Sequence, residues 1–167
     1  MVFIHGLGGD ALATWRHGTD ESTSWPHWLG EEFPDVRVWS LSYAASPTKW
    51  AGLLGRFTGG GRDAGHAMAL PDRAVQVLDR MVQKGLGERP LIFICHSLGS
   101  LLAKQILRTS ADAVEAREKS VFGRTRAVLF LATPHAGAEL ASMMDEFRTV
   151  LGATITMEGL RAHDAQL

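Results

Sequence analysis

Short apolar runs alternate along this chain with stretches in which apolar residues recur at helical spacing. The runs predict four strands, which cover Met1 to His5, Arg37 to Ser42, Leu91 to Cys95 and Ala127 to Leu131. The fourth is expected to be buried. Because helical stretches separate the strands, they should pair in parallel through crossovers. The pattern therefore predicts the α/β class, with a doubly wound, mostly parallel sheet flanked by helices.

The helical stretches differ in how clearly their spacing marks one face. Pro71 opens a helix that runs to about Lys84, and its apolar face is made of Ala74, Val77, Leu78 and Met81. A tryptophan-rich amphipathic helix ends before Pro34. The charged segment from 111 to 126 predicts a short exposed helix and loop, the glycine-rich stretch over 47–65 predicts a surface loop, and 138–151 predicts a further helix.

The stretch from Leu91 to Gln105 predicts a strand, a sharp turn and a helix, with Ser97 at the tip of the turn. A nucleophile elbow has this context, because the turn lifts the serine hydroxyl above the carboxyl end of the sheet. The helix begins at the same place, so the Leu98 N–H is directed to where an oxyanion would form. Gly99 fits the G-x-S-x-G pattern, while Cys95 replaces its first glycine. The alternative is an ordinary helix N-cap at Ser97.

A glycine turn, Gly6 to Asp10, follows the first strand directly. In serine hydrolases a turn of this kind supplies the second oxyanion donor, here most simply the Leu7 N–H. The residues from Gly6 to Ala11 also satisfy G-x-G-x-x-A, the dinucleotide fingerprint, which would indicate an oxidoreductase. That fingerprint requires an immediate helix and an acidic residue ending the second strand, where this chain has Ser42 and Tyr43. The oxyanion interpretation is therefore favoured.

Composition and charge exclude several classes of protein. At 167 residues the chain is long enough for one domain with a real core and too short for two. Its net charge of −1, with neither a basic patch nor an acidic tail, gives no indication of a nucleic-acid partner. Cys95 is the only cysteine, so no intrachain disulfide forms. Since neither a signal nor a transmembrane segment is visible, a cytoplasmic location is expected.

Three segments agree with one another in type and order: VFIHGLGGDALATW, IFICHSLGSLLAKQ and LFLATPHAG. Together they resemble the α/β-hydrolase superfamily, and within it a lipase-like group that includes the serine-active-site-containing proteins and esterases that process lipid anchors. The resemblance implies an α/β-hydrolase fold and a serine hydrolase that cleaves carboxylic esters, with lipid-like acyl esters as substrates. It implies an acyl-enzyme on Ser97 and an oxyanion hole made by Leu7 and Leu98. Neither a cofactor nor a metal is expected.

The acid and base of a triad are not evident from the motifs. In this superfamily they follow the nucleophile in the order Asp or Glu, then His, after two further strands. His5, His96 and His135 lie at or beside the carboxyl ends of predicted strands, and we expect them to form part of the site wall. We expect residues 1–167 to be a single α/β-hydrolase domain, incomplete at both ends and lacking its C-terminal strands. The acid and base would then lie beyond Leu167.

Two further questions concern function class and partners. The absence of an evident acid and base leaves open a catalytically silent α/β-hydrolase-like interaction module, and the glycine turn leaves open the oxidoreductase. The expected partner is a small-molecule or lipid ester substrate, with peripheral contact to a membrane as an option and no nucleic acid. The sequence leaves the oligomeric state open.

Overall fold

The computed structural model describes residues 1–45, 70–133 and 135. The chain divides into two compact units, Met1–Thr133 and Pro134–Leu167, and every element given below belongs to the first. His135 is the described residue of the second unit. The loop expected over 47–65 and the helix expected over 138–151 lie outside the described residues.

The first unit contains a parallel sheet, which confirms the predicted α/β class. Its strands are β1 (Val2–Ile4), β2 (Trp39–Leu41), β3 (Leu91–His96) and β4 (Thr125–Leu131), in the order β2-β1-β3-β4. The pairs β1 with β2, β1 with β3 and β3 with β4 are all parallel. The strands begin or end within about two residues of the predicted positions, as expected for boundaries set by local pattern.

Helices connect these strands. In the part of the chain that the structure describes they are α1 (Trp25–Glu32), α2 (Leu70–Gln83), α3 (Gly99–Asp112) and α4 (Ala116–Arg124). Two short 3-10 turns, Ala13–Trp15 and Glu21–Thr23, precede α1. Across these ranges no helix is both long and apolar enough to span a bilayer.

The two faces of the sheet bury separate apolar clusters. Successive residues of a strand point to opposite faces, so Phe3 and Ile94 lie on one face with Trp15, and Leu29 of α1 packs against them. Their neighbours along β1 and β3 lie on the other face and pack against α2, α3 and α4, in a cluster that includes Val2, Ile4, Ala74, Val77, Leu78, Met81, Phe93, Cys95, Leu102, Ile106 and Val121. Helices therefore cover both faces, as a doubly wound sheet requires.

The strand β4 is less buried than its apolar sequence predicts. Leu129 and Phe130 are 46% and 39% exposed, and most other β4 side chains are also exposed or half-buried. Within the described residues β4 pairs with β3 alone and so forms an edge of the sheet. The expectation of a buried fourth strand was wrong because an apolar run does not reveal how many neighbours cover it.

The order of strands creates a switch point between β1 and β3. From β1 the chain moves outward to β2, and from β3 it moves in the opposite direction to β4. In open α/β sheets the crevice at such a point, beyond the carboxyl ends of the strands, is where ligands bind. The residues that follow β1 and β3 are His5 to Leu7 and Ser97.

Candidate functional site

Ser97 occupies a strained turn between β3 and α3. Its φ is 50°, in the left-handed region that non-glycine residues rarely adopt. The helix α3 begins at Gly99, and Leu98 before it makes no side-chain capping bond. The Ser97 N–H donates to the Leu131 carbonyl oxygen at 2.8 Å, which fixes the turn to the end of β4. Ser97 is 6% exposed.

Gly99 allows the start of α3 to approach β1. A Cβ at this position would lie 2.1 Å from the carbonyl oxygen of His5 and 2.6 Å from that of Ile4. Real Cβ atoms do not approach backbone so closely, and no flexible group is available to move. The sequence motif predicted a small residue here, and the structure shows that the close neighbour is β1.

Gly6 faces the serine from the other side of the switch point. A Cβ on Gly6 would lie 2.9 Å from the Ser97 Cβ and 3.1 Å from His96 Nδ1. The first residue of the glycine turn is therefore packed directly against the elbow. This contact is what brings the segment after β1 beside Ser97.

Hydrogen bonds hold the glycine turn in shape. Gly9 N–H donates to the Gly6 carbonyl oxygen at 3.1 Å, and Gly8 N–H donates to that of Ala45 at 2.7 Å. The Asp10 carboxylate accepts from the N–H groups of Leu12 and Ala13 at 2.8 and 3.0 Å. These bonds use the N–H groups of Gly8 and Gly9, which follow Leu7 in the turn, but none of them uses the Leu7 N–H itself.

The start of α3 presents a second N–H beside Ser97. Ser100 N–H donates to the Ser97 carbonyl oxygen at 3.0 Å, and Leu101 N–H donates to that of Leu98 at 3.0 Å. The Leu98 N–H precedes the first of these turns and therefore has no carbonyl within the helix to bond. Both Leu7 and Leu98 are themselves buried, so their backbones are held in place by their packed side chains.

The same turn does not have the structure of a dinucleotide site. A helix should begin immediately after the glycines. Over the described stretch 1–45, however, the chain after Gly9 forms two 3-10 turns, and α1 starts only at Trp25. The end of β2 also offers Ser42 and Tyr43 rather than an acid. These observations count against the oxidoreductase interpretation.

His5 lies inside the protein at the end of β1. It is 1% exposed, and its ring stacks on Tyr43 with 4.4 Å between the ring centroids. Nδ1 lies 2.9 Å from the Gly6 carbonyl oxygen; because that oxygen can only accept, Nδ1 carries the proton. Burial lowers the pKa of His5, and the bond to Gly6 offsets part of this effect. His5 is therefore a neutral, structurally fixed imidazole.

His96 points to the face of the sheet that carries Trp15. Its ring meets the Trp15 ring edge-on, at 6.4 Å between centroids. The Nδ1 atom is buried and has no hydrogen-bond partner within the described residues. Burial, and secondarily the neighbouring His5, lower the pKa of His96.

The remaining histidine of the predicted site wall, His135, lies in the second unit and is exposed. The structure thus brings together Ser97, Leu7, Leu98, His5 and His96 within the first unit.

Cys95, which replaces the first glycine of the elbow pattern, and Ser100 in the first turn of α3 are both buried. Burial raises the pKa of the Cys95 thiol to about 12, so it remains protonated and unreactive at neutral pH. Ser100 Oγ donates to the Cys95 carbonyl oxygen at 3.2 Å and accepts from Thr133 Oγ1 at 2.5 Å. The two residues therefore join α3 to the ends of β3 and β4.

Two supporting residues could not be found from local pattern. Tyr43 stacks on His5 and donates its hydroxyl to the His5 carbonyl oxygen at 2.5 Å. Thr133 bonds Ser100 across 33 residues. The feature of the sequence that could have indicated them is their position just after a strand, at the carboxyl edge of the sheet.

Comparison with known proteins adds one clear similarity. The chain is 29% identical to Protein SERAC1 of Homo sapiens over 175 residues, which is 96% of this chain and 25% of that protein. Protein SERAC1 of Mus musculus is 28% identical, and that of Danio rerio 27%, over the same shares. The chain thus spans about a quarter of the length of the curated relatives it matches. No family model matches the chain, and no solved structure matches it significantly.

The similarity covers 96% of this chain and therefore includes the elbow at Ser97, which lies far from both ends of the sequence. It agrees with the resemblance carried by the three motifs at the level of relatedness to Protein SERAC1.

Proposed function

We propose that this protein is a serine hydrolase that cleaves carboxylic esters through an acyl-enzyme on Ser97. The observation that carries the proposal is the left-handed φ of Ser97 at a strand-to-helix turn, beside Gly6 and at the switch point of the sheet. Strain of this kind is found at nucleophile elbows, where it presents the hydroxyl to substrate. The motif resemblance supports lipid-like acyl esters as the substrate class.

In the proposed reaction, Ser97 Oγ attacks the ester carbonyl carbon and transfers its proton to a base. The negative charge that develops on the carbonyl oxygen is stabilised by the N–H groups of Leu7 and Leu98. Collapse of this intermediate breaks the bond to the alcohol, which takes up the proton and leaves. Water then attacks the acyl group, Ser97 regains its proton and the acid is released.

The base in this proposal follows Ser97 in the chain. In the α/β-hydrolase order the acid and histidine come after the nucleophile, which neither His5 nor His96 does. His5 is also unsuitable because its ring is fixed between Tyr43 and the Gly6 carbonyl. We therefore assign both histidines a role in shaping the wall of the site.

The experiment is hydrolysis of a short-chain p-nitrophenyl ester by the wild-type protein, Ser97→Ala and Ser42→Ala. Ser42 is an exposed serine just after β2 and serves as the matched control. Removal of the nucleophile should lower kcat by a factor on the order of 10³ or more. The Ser42 variant should retain the wild-type rate.

Equal rates for all three proteins would contradict the proposal. So would a protein that includes the residues expected beyond Leu167, folds by its unfolding transition, and yet has no esterase activity. That second result would favour the catalytically silent interaction module.

A further inference from the structure

The carbonyl oxygen of Gly6 accepts two hydrogen bonds. One comes from the imidazole of His5, whose Nδ1 lies 2.9 Å from the oxygen, and the other comes from the Gly9 N–H at 3.1 Å. A carbonyl oxygen has two lone pairs, so both are in use here. The peptide group between Gly6 and Leu7 is therefore held from its oxygen side.

The same peptide group carries the Leu7 N–H. The bond between Gly6 and Leu7 is trans, since the described residues contain no cis peptide bond. In a planar trans peptide the C=O and the N–H point in opposite directions. The two bonds to the Gly6 oxygen therefore also fix the direction of the Leu7 N–H, and rotation of the peptide plane would break both. Donors to the oxygen also polarise the peptide group, which makes its N–H a stronger donor.

Of the two donors, His5 is the one that is anchored outside the glycine turn. It is 1% exposed and stacks on Tyr43, and the Tyr43 hydroxyl donates to the His5 carbonyl oxygen at 2.5 Å. Gly99 packs against the same carbonyl oxygen. The Gly9 N–H, by contrast, is part of the turn and would move with it. The imidazole therefore fixes the Gly6 carbonyl relative to the sheet, which the turn alone cannot do.

The glycine turn packs directly against this imidazole. A Cβ on Gly9 would lie 3.1 Å from His5 Nδ1, 3.1 Å from the Gly6 carbonyl oxygen and 2.7 Å from Thr14 Oγ1. Because Gly9 has no side chain, the turn closes over the bond between Nδ1 and the oxygen. A hydrogen bond buried in this way is electrostatically stronger than one in water.

The peptide group between Gly6 and Leu7 lies beside the nucleophile proposed above. A Cβ on Gly6 would be 2.9 Å from the Ser97 Cβ. An oxyanion donor has to lie about 2.7–3.1 Å from the oxygen on which charge develops. A displacement of about 1 Å in a site of this kind can cost about 10²-fold in rate. The rotation of this one peptide plane therefore decides whether the Leu7 N–H can serve the reaction.

We propose that His5 is a positioning residue for the reaction at Ser97. Its Nδ1–H holds the Gly6 carbonyl oxygen and thereby directs the Leu7 N–H toward the developing oxyanion. This inference rests on the proposed function, because that function is what gives the Leu7 N–H a part in catalysis. His5 neither accepts nor releases a proton in any step of the reaction.

An NMR measurement on the full chain tests the orientation without any need for activity. With carbon-13 at the glycine carbonyls and nitrogen-15 in leucine, an HNCO spectrum reports only Gly–Leu pairs. The chain has four of these: Gly6–Leu7, Gly52–Leu53, Gly85–Leu86 and Gly159–Leu160. The signal that disappears in Leu7→Ile is the one from the glycine turn. An NOE from the Leu7 amide proton to the Ser97 Hβ protons is expected in the wild-type protein.

Two variants of His5 separate its hydrogen bond from its bulk. In His5→Leu the Gly6 carbonyl carbon should shift upfield and the NOE to Ser97 should weaken, because the oxygen loses one of its two donors. In His5→Asn both should stay near their wild-type values. The asparagine side-chain nitrogen is attached one carbon beyond Cβ, as Nδ1 is, and can donate to the same oxygen.

A kinetic arm uses a protein that includes the residues expected beyond Leu167, with a short-chain p-nitrophenyl ester as substrate. His5→Leu should lower kcat by about 10- to 10²-fold with little change in KM, because the donor acts mainly in the transition state. His5→Asn should recover most of this loss. The control is Met81→Ala, a buried change in α2 that also costs stability. It should leave both kcat and the Gly6–Leu7 signal unchanged.

An unshifted Gly6 carbonyl signal in His5→Leu, or equal shifts in His5→Leu and His5→Asn, would overturn the proposal. So would a wild-type protein that lacks the NOE to Ser97, a measurement that needs no variant to fold. Equal losses of kcat in His5→Leu and Met81→Ala would show only a structural role and would also overturn it. If the NMR signals behave as expected and the longer protein hydrolyses no ester, the orientation of the Leu7 N–H by His5 stands and the esterase proposal alone fails.

Discussion

Gly99 lies so close to His5 that a Cβ on the glycine would be 2.1 Å from the histidine's carbonyl oxygen. This contact joins the first turn of α3 to the end of β1, although 94 positions of sequence numbering separate the two residues. It places the Ser97 turn and the glycine turn at the same point of the sheet edge. The geometry of the candidate site therefore requires glycine at position 99, because every other residue carries a Cβ.

We expect Gly99→Ala to destabilise the fold, because the added carbon meets backbone on β1 that cannot rotate away. Overpacking of this kind costs on the order of 3 kcal/mol in the free energy of unfolding. The control is Gly123→Ala in α4, where a Cβ meets nothing within 4 Å and should add up to about 1 kcal/mol. Urea unfolding of both variants measures the difference, and equal stabilities would contradict the packing argument.

The strain at Ser97 predicts an inverted preference between glycine and alanine. With φ at 50°, Ser97→Gly should be more stable than Ser97→Ala by about 1 kcal/mol, since both lose the hydroxyl but only glycine tolerates this backbone. At Arg108, inside α3, the order should be reversed by about the same amount. Thermal or urea unfolding of the four variants tests this. If Ser97→Ala is more stable than Ser97→Gly, the backbone of the turn is not strained.

Which features of this site can be predicted from the sequence depends on how far apart in the chain the interacting residues lie. The apolar face of α2, with Ala74, Val77, Leu78 and Met81, is buried as its spacing predicts, because burial of an amphipathic helix is decided by a local repeat. The Ser97 turn is likewise local, and the elbow motif locates it. The stacking of Tyr43 on His5, the Gly99 contact and the exposure of β4 could not be predicted, since each depends on which distant segment becomes a neighbour.

The stability of the protein should fall at mildly acidic pH through His5. Burial holds its folded pKa below the ordinary value of about 6.5. Below that value the unfolded state binds more protons than the folded state, so the free energy of unfolding falls as pH drops from about 6.5 toward the folded pKa. His5→Asn should reduce this dependence below about pH 6.5, and the slope that remains comes in part from His96, whose pKa burial also lowers. Tyr43→Phe, which keeps the stacked ring, should retain the wild-type dependence, and identical slopes for wild type and His5→Asn would contradict the assignment.

The Leu98 N–H can be removed by substitution with proline. Leu98 has a φ of −62°, which proline also adopts, so Leu98→Pro deletes the donor while keeping the φ of this residue. Leu98→Ala is the control, because it loses the buried side chain but keeps the N–H. If the N–H stabilises the oxyanion, kcat for the proline variant should be about 10²- to 10³-fold below that of the alanine variant. Similar kcat values in the two variants, at similar stability, would remove Leu98 from the oxyanion hole.

Covalent labelling of Ser97 tests the central claim most directly. The wild-type protein would be treated with a fluorophosphonate, digested and mapped by mass spectrometry, beside Ser97→Ala and Ser42→Ala. An activated nucleophile at the elbow predicts one modified peptide containing Ser97, absent in the Ser97 variant and present in the Ser42 variant. A folded wild-type protein that includes the residues expected beyond Leu167 and stays unlabelled, or is labelled at another serine, would contradict the claim that Ser97 is a nucleophile.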